Sequence, residues 1–70
     1  MKKETFVLEI FNFLIKREHF TIESLSEMFL VSRRTVIRYI KIVKEFVKEH
    51  YDHYVVYFDK TEKTYKLRQM

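Results

Sequence analysis

The chain has 70 residues and contains no cysteine, glycine or proline. This length excludes a second domain, a large cleft and a long catalytic relay, and we expect residues 1–70 to form a single domain. The lack of cysteine excludes a disulfide framework and a thiolate metal site and favours a reducing compartment. Hydrophobic residues make up 47% of the chain and aromatic residues 17%, which is enough for a small core and argues against disorder.

The positive charge is concentrated in one segment. The formal net charge of the chain is +4. Residues 32–44 carry five basic side chains and no acidic one, so this segment has a charge of +5 and the remainder of the chain −1. A local basic run of this kind favours an anionic partner.

The spacing of apolar residues predicts three helices, at about residues 5–17, 22–29 and 33–50. Thr21 and Ser32 are suited to cap the second and third helices, because their hydroxyl oxygens can accept hydrogen bonds from backbone N–H groups of the first turn. In the second helix we expect one buried face, formed by Ile22, Leu25, Met28 and Phe29.

The last third of the chain changes character and predicts a β-hairpin. Residues 54–58 are rich in β-formers, and residues 64–68 alternate polar and apolar side chains. The polar segment 59–63 between them has the length of a hairpin turn. The predicted fold class is therefore α+β, mostly α, with three helices followed by a hairpin whose Tyr65 and Leu67 cover the open side of the helices.

A short helix, a three-residue break and a longer basic helix form the layout of a helix-turn-helix, whose second helix enters the DNA major groove. At about 100° per residue, Val36, Ile40 and Val43 fall on one face of the third predicted helix. Arg34, Arg38 and Lys41 fall on the opposite face. This helix can therefore anchor in the core and still present its cations outward.

The run of residues 25–40, Leu-Ser-Glu-Met-Phe-Leu-Val-Ser-Arg-Arg-Thr-Val-Ile-Arg-Tyr-Ile, resembles the winged helix-turn-helix domains of bacterial DeoR-type and Mga-type regulators. The segment Thr-Tyr-Lys-Leu at 64–67 resembles the strand that ends their wing, so the resemblance covers nearly the whole chain. It implies a three-helix domain with a β-hairpin wing. Ser26 replaces the usual alanine, Leu30 the usual turn glycine, and Thr64 the usual wing glycine. A positive φ at Leu30 would strain the backbone by about 1 kcal/mol or more.

We therefore predict a sequence-specific double-stranded DNA-binding protein that regulates transcription without a sensor domain of its own. The third helix would lie in the major groove and the wing on the DNA backbone. Ile37 stands in the middle of the basic face, where it could meet a thymine methyl group. The predicted DNA contacts at base edges and phosphates come from Ser32, Arg33, Arg34, Thr35, Ile37 and Arg38, with Lys41, Lys44, Lys60 and Lys63 on the DNA backbone.

The first predicted helix is apolar on nearly all sides, because Leu8 and Ile15 fall opposite the face that Phe6 and Ile10 would bury. We therefore predict a homodimer in which Leu8, Phe11 and Ile15 pack against their copies. The alternative is that the termini of the same chain cover Leu8 and Ile15.

The leading alternative function is a protein-interaction winged helix, acting as a small adaptor or inhibitor, and RNA binding ranks third. We expect no enzymatic activity, because the chain has no Gly-rich phosphate loop and no convincing nucleophile set. His50 and His53 have Asp52 nearby but no evident fourth ligand, so no metal or other cofactor is expected. No stretch of the sequence is apolar enough to cross a membrane, and we expect a cytoplasmic protein with no small-molecule substrate.

Overall fold

The computed structural model describes residues 2–69, so the two ends of the predicted 1–70 domain, residues 1 and 70, lie outside the described part. Three helices are followed by two strands. The helices are α1 (Lys3–Lys16), α2 (Ile22–Phe29) and α3 (Arg33–His50), and the strands are β1 (Tyr54–Asp59) and β2 (Thr64–Gln69). The strands pair as an antiparallel hairpin, so the predicted α+β class with three helices and a hairpin is confirmed.

The helix starts follow from the two predicted caps. The Thr21 hydroxyl accepts the Ser24 N–H at 2.9 Å, and the Ser24 hydroxyl accepts the Thr21 N–H at 2.9 Å, which completes a capping box. The Ser32 hydroxyl accepts the Thr35 N–H at 3.2 Å and caps α3. Each cap satisfies a backbone donor that would otherwise lack a partner at the helix start.

The core lies where the three helices meet the hairpin. In the middle of the core, the centroid of the Phe6 ring lies 4.4 Å from that of Phe29 and 5.5 Å from that of Tyr39. This contact joins α1, α2 and α3. Tyr65 and Leu67 are half-buried against this core, as predicted. The core is formed by Phe6, Ile10, Leu14, Phe20, Leu25, Phe29, Val36, Ile40, Val43, Val47 and Val56.

The predicted buried face of α2 is wrong at Met28, which is 58% exposed. On this eight-residue helix the buried line is set by Leu25 and Phe29, which lie four positions apart. Met28 falls about 100° around the axis from Phe29 and therefore points away from α1 and α3.

Thr64 fastens the hairpin to the connector between α1 and α2. Its side chain is buried, and its hydroxyl accepts the backbone N–H of Phe20 at 3.1 Å. One residue earlier, His19 Nε2 donates to the Glu62 carbonyl at 3.0 Å. The Phe20 and Tyr65 rings stack at 6.3 Å beside these bonds. Thr64 stands where the resembled domains have a wing glycine, and it joins the hairpin to the connector between α1 and α2.

Candidate nucleic-acid interface

The turn between α2 and α3 fixes the angle at which α3 leaves the domain. Leu30 adopts a left-handed conformation with φ 58° and ψ 45°, at the position where the resembled domains have glycine. Its side chain is 89% exposed, so packing does not offset the strain. The Val31 N–H donates to the Ser26 carbonyl at 3.1 Å, and the Ser26 hydroxyl donates to the Val31 carbonyl. Ser26 therefore closes the turn with a bond that alanine could not make.

The basic face of α3 consists of exposed residues on the side of the helix that faces away from the core. The opposite side buries Val36, Ile40 and Val43 almost completely. Ile37 is 48% exposed in the middle of the basic face. The structure thus brings together on one side of α3 the predicted contact residues Arg33, Arg34, Ile37, Arg38, Lys41 and Lys44.

The two predicted hydroxyl contacts lie at the N-terminus of α3. Ser32 is exposed and Thr35 is half-buried, and their hydroxyl oxygens are hydrogen-bonded to each other at 2.9 Å. Both are therefore held in place by the cap, with lone pairs or a hydrogen left for a further partner.

An acid from a neighbouring helix reaches the basic face. Glu23 of α2 forms an ion pair with Arg33 at 3.3 Å, and both side chains are more than two-thirds exposed. Across residues 2–69, neither Arg34 nor Arg38 takes part in an ion pair. This ion pair could not be predicted from the sequence, because Glu23 lies ten residues before Arg33 and on a separate helix.

A groove of about 640 Å³ runs between the C-terminal half of α3 and β1. Lys41, Lys44, Lys48 and Glu45 line it from α3, and Asp52 lines it from the segment between α3 and β1. The three lysines extend the basic face toward the end of α3. Lys48 was not among the predicted contacts, although its position one turn beyond Lys44 was readable from the sequence.

The hairpin tip carries the two predicted wing lysines, Lys60 and Lys63, both exposed. Lys63 adopts a left-handed conformation with φ 55°. The Asp59 carboxylate organises the turn, because its Oδ1 accepts the N–H groups of Thr61 at 2.9 Å and of Glu62 at 3.1 Å. This wing is not a free loop, since His19 and Phe20 also bind its tip and the start of β2.

The Lys66 ammonium lies between two carboxylates, 3.3 Å from Asp59 Oδ2 and 2.6 Å from Glu62 Oε2. The pKa of the Asp59 carboxyl is lowered below its ordinary value. The largest cause is the hydrogen bond from the Glu62 backbone N–H, and the next is the hydrogen bond from Lys66. The pKa of Lys66 is raised, most by its hydrogen bond to the Glu62 side chain and next by its hydrogen bond to Asp59. Lys66 is therefore engaged within the hairpin, whereas Lys60 and Lys63 point outward from it.

The three predicted dimer residues lie on α1, two of them exposed and Phe11 packed against the edge of the core. Leu8 is 66% exposed and Ile15 53% exposed. Phe11 is half-buried, because its ring packs edge-on against Phe46 at 5.6 Å and also contacts Tyr51.

Across residues 2–69, no helix is long and apolar enough to cross a membrane. In the same part of the chain, no three His, Cys, Asp or Glu side chains lie close enough together to hold a metal ion.

The comparisons with known proteins give one match. A family model described as an HTH domain matches residues 7–57, which is more than half of the chain and includes all of α2, α3 and their turn. No curated protein and no solved structure matches the chain. The particular resemblance to DeoR-type and Mga-type regulators stays a prediction. On the family match, the chain belongs to this helix-turn-helix domain family.

Proposed function

We propose that the protein binds double-stranded DNA with sequence preference and regulates transcription, with α3 in the major groove. The observation that carries this proposal is the basic face of α3, which is exposed and has no acid of its own between Arg33 and Lys44. A helix anchored by its opposite side can enter a groove without unfolding any part of the core. The family match supports DNA as the partner.

In this proposal the N-terminal part of α3 contacts the bases, and the lysines further along α3 contact the DNA backbone. Arg33, Arg34 and Arg38 lie in its N-terminal part, where a recognition helix meets base edges, and arginine is suited to pair with guanine O6 and N7. Ile37 between them would contact a thymine methyl group. Ser32 and Thr35 would contact a base edge or the nearest phosphate from the helix N-terminus.

Lysine residues would hold the DNA backbone on both sides of this contact. Lys41 and Lys44 follow along α3, and we add Lys48 because it lines the same groove. Lys60 and Lys63 would contact a phosphate from the hairpin tip. A lysine is a flexible point charge, so these contacts add affinity and salt dependence with little sequence preference.

The test is fluorescence anisotropy with duplexes selected from a random DNA pool, measured over a series of salt concentrations. We expect Arg34→Ala and Arg38→Ala each to weaken binding by about 1–3 kcal/mol, mainly on the selected sequence. Lys44→Ala should weaken binding similarly on all sequences and reduce the salt slope by about one.

Lys16→Ala on α1 is the matched control, because Lys16 is exposed and lies outside the basic face. It should bind DNA like the parent. A folded triple variant of Arg33, Arg34 and Arg38 to alanine that also binds like the parent would refute the proposal.

The second candidate function is protein binding, and a specific observation favours it. Large apolar side chains of α1, the end of α3 and the start of β1 are exposed. Along α3, Phe46 lies about 18 Å and Tyr51 about 25 Å from Arg34, at 1.5 Å per residue. The arginines of the proposed base contact are therefore separate from this apolar surface, whereas Tyr51 and Tyr54 line the same groove as Lys41, Lys44 and Lys48.

A further inference from the structure

Exposed apolar side chains of α1, the end of α3 and the start of β1 form what we call the apolar patch: Leu8, Ile15, Phe46, Tyr51 and Tyr54. Phe11 connects its members, because it lies between Leu8 and Ile15 on α1. The Phe11 ring packs 5.6 Å from Phe46 and 6.1 Å from Tyr51, and Tyr51 packs 6.3 Å from Tyr54.

The patch has both a ridge and a hollow. Leu8 and Ile15 form the ridge, seven positions apart on nearly the same line of α1. Beside Ile15 lies a groove of about 300 Å³ between α1, the end of α3 and the hairpin. The groove is lined by Phe11, Leu14, Ile15, Arg17, Val47, Tyr51, Tyr54 and Leu67, of which only Arg17 is charged.

The exposed area suits a partner of limited size. The exposed fractions run from 39% for Tyr54 to 66% for Leu8. A large side chain exposed to this degree presents on the order of 100 Å². The patch therefore offers about 500 Å² per chain, and a pair of patches about 1,000 Å², which is the size of a weak, reversible interface.

We propose that the occupant of the patch is a second copy of this chain, with the two α1 helices antiparallel and Leu8 of each copy seated in the groove beside Ile15 of the other. The positions of Leu8 and Ile15 are compatible with a two-fold arrangement. Leu8 and Ile15 lie equally far from the midpoint between Phe11 and Asn12, so a two-fold axis through that midpoint exchanges them. Leu8 of each copy then packs in the groove beside Ile15 of the other, so the same contact occurs twice and the assembly is a closed dimer.

The axis also places Asn12 next to its own copy. Asn12 is exposed and lies between Leu8 and Ile15 on α1. An amide side chain both donates and accepts hydrogen bonds, so two copies can pair across the axis. A single polar pair within an apolar interface fixes the register of two helices, which is the role of Asn12 in this dimer.

The dimer contact includes none of the arginines of the basic face, although Tyr51 and Tyr54 of the patch line the same groove as Lys41, Lys44 and Lys48. It is therefore tested without DNA. Sedimentation equilibrium of the full chain at 1–100 μM should give twice the chain mass of 8.8 kDa at the upper concentrations. Leu8→Glu should raise the dissociation constant at least ~10-fold, because the carboxylate would be desolvated in an apolar groove.

Met28→Glu is the matched control, because Met28 is as exposed as the patch but lies on α2. It should leave the dimer intact, and circular dichroism should show both variants folded. A monomer mass for the parent over the whole range overturns the proposal, and so does a dimer that Leu8→Glu leaves unchanged.

Disulfide trapping tests the register, and the chain has no cysteine of its own to interfere. Residues 8 and 15 lie about 10 Å apart on one helix, too far for a disulfide within one chain. The double variant Leu8→Cys, Ile15→Cys should therefore cross-link only between copies, and Asn12→Cys should cross-link to itself at the axis. Leu8→Cys alone should not cross-link. Efficient cross-linking of Leu8→Cys alone overturns the antiparallel register.

Discussion

Replacing Thr64 with valine should loosen the hairpin from the helices without changing the shape of the core. Valine keeps the branched side chain but removes the hydroxyl that accepts the buried Phe20 N–H at 3.1 Å. An unsatisfied buried donor costs about 1–3 kcal/mol. With a urea m-value of about 1 kcal/mol/M for a small domain, the unfolding midpoint should fall by about 1–3 M. Hydrogen exchange should accelerate at the Phe20 amide more than at other core amides.

Two controls separate the lost hydrogen bond from other effects of the substitution. Thr64→Ser keeps the acceptor and loses one methyl group, so it should cost about 1 kcal/mol and leave the Phe20 amide protected. Thr5→Val makes the same chemical change on the exposed side of α1 and should stay within about 0.5 kcal/mol of the parent. A Thr64→Val variant with the parent's midpoint and the parent's protection at Phe20 would refute the reasoning.

Three further changes test the strained turn at Leu30, the ion pair of Glu23 and the carboxylate of Asp59 in the hairpin. Leu30→Gly relieves about 1–2 kcal/mol of left-handed strain against an entropy cost of about 0.5–1 kcal/mol, so Tm should rise by a few degrees, and an unchanged or lower Tm would contradict this. Glu23→Gln should change the free energy of unfolding by less than about 0.5 kcal/mol, because the pair is exposed. The same variant should tighten duplex binding and steepen its salt dependence by releasing Arg33, and weaker binding in anisotropy would count against that role. The lowered pKa of Asp59 means that its stabilisation is complete above the ordinary carboxyl pKa and is lost as the pH falls through the folded value. Tm from pH 6 to pH 2 should therefore fall less for Asp59→Asn than for the parent, and parallel curves would show that the Asp59 carboxylate makes no such contribution.

Local signals predicted the elements of the fold well. Caps are encoded within four residues, so Thr21 and Ser32 placed the starts of α2 and α3. The 18 residues of α3 give its hydrophobic period many repeats, and its buried and basic sides separated as expected. On the eight residues of α2 the same period has too few repeats, and Met28 was assigned to the wrong side.

Contacts between elements could not be predicted in the same way. The pairing of Glu23 with Arg33 depends on how α2 crosses α3, and the bond from Phe20 to Thr64 joins residues 44 positions apart. The apolar excess of α1 was readable from the sequence. The groove beside Ile15 was not, because the end of α3 and the hairpin form its other walls.

The attachment of the hairpin to the connector has a consequence for the order in which the chain folds. The contacts of His19 with Glu62 and of Phe20 with Thr64 span 43 and 44 residues. Closing a loop of that length carries an entropy cost before any contact can repay it, whereas the helices form from neighbours along the chain. We therefore expect the helices to form before the hairpin docks onto the connector. Docking then fixes the segment that carries Lys60 and Lys63.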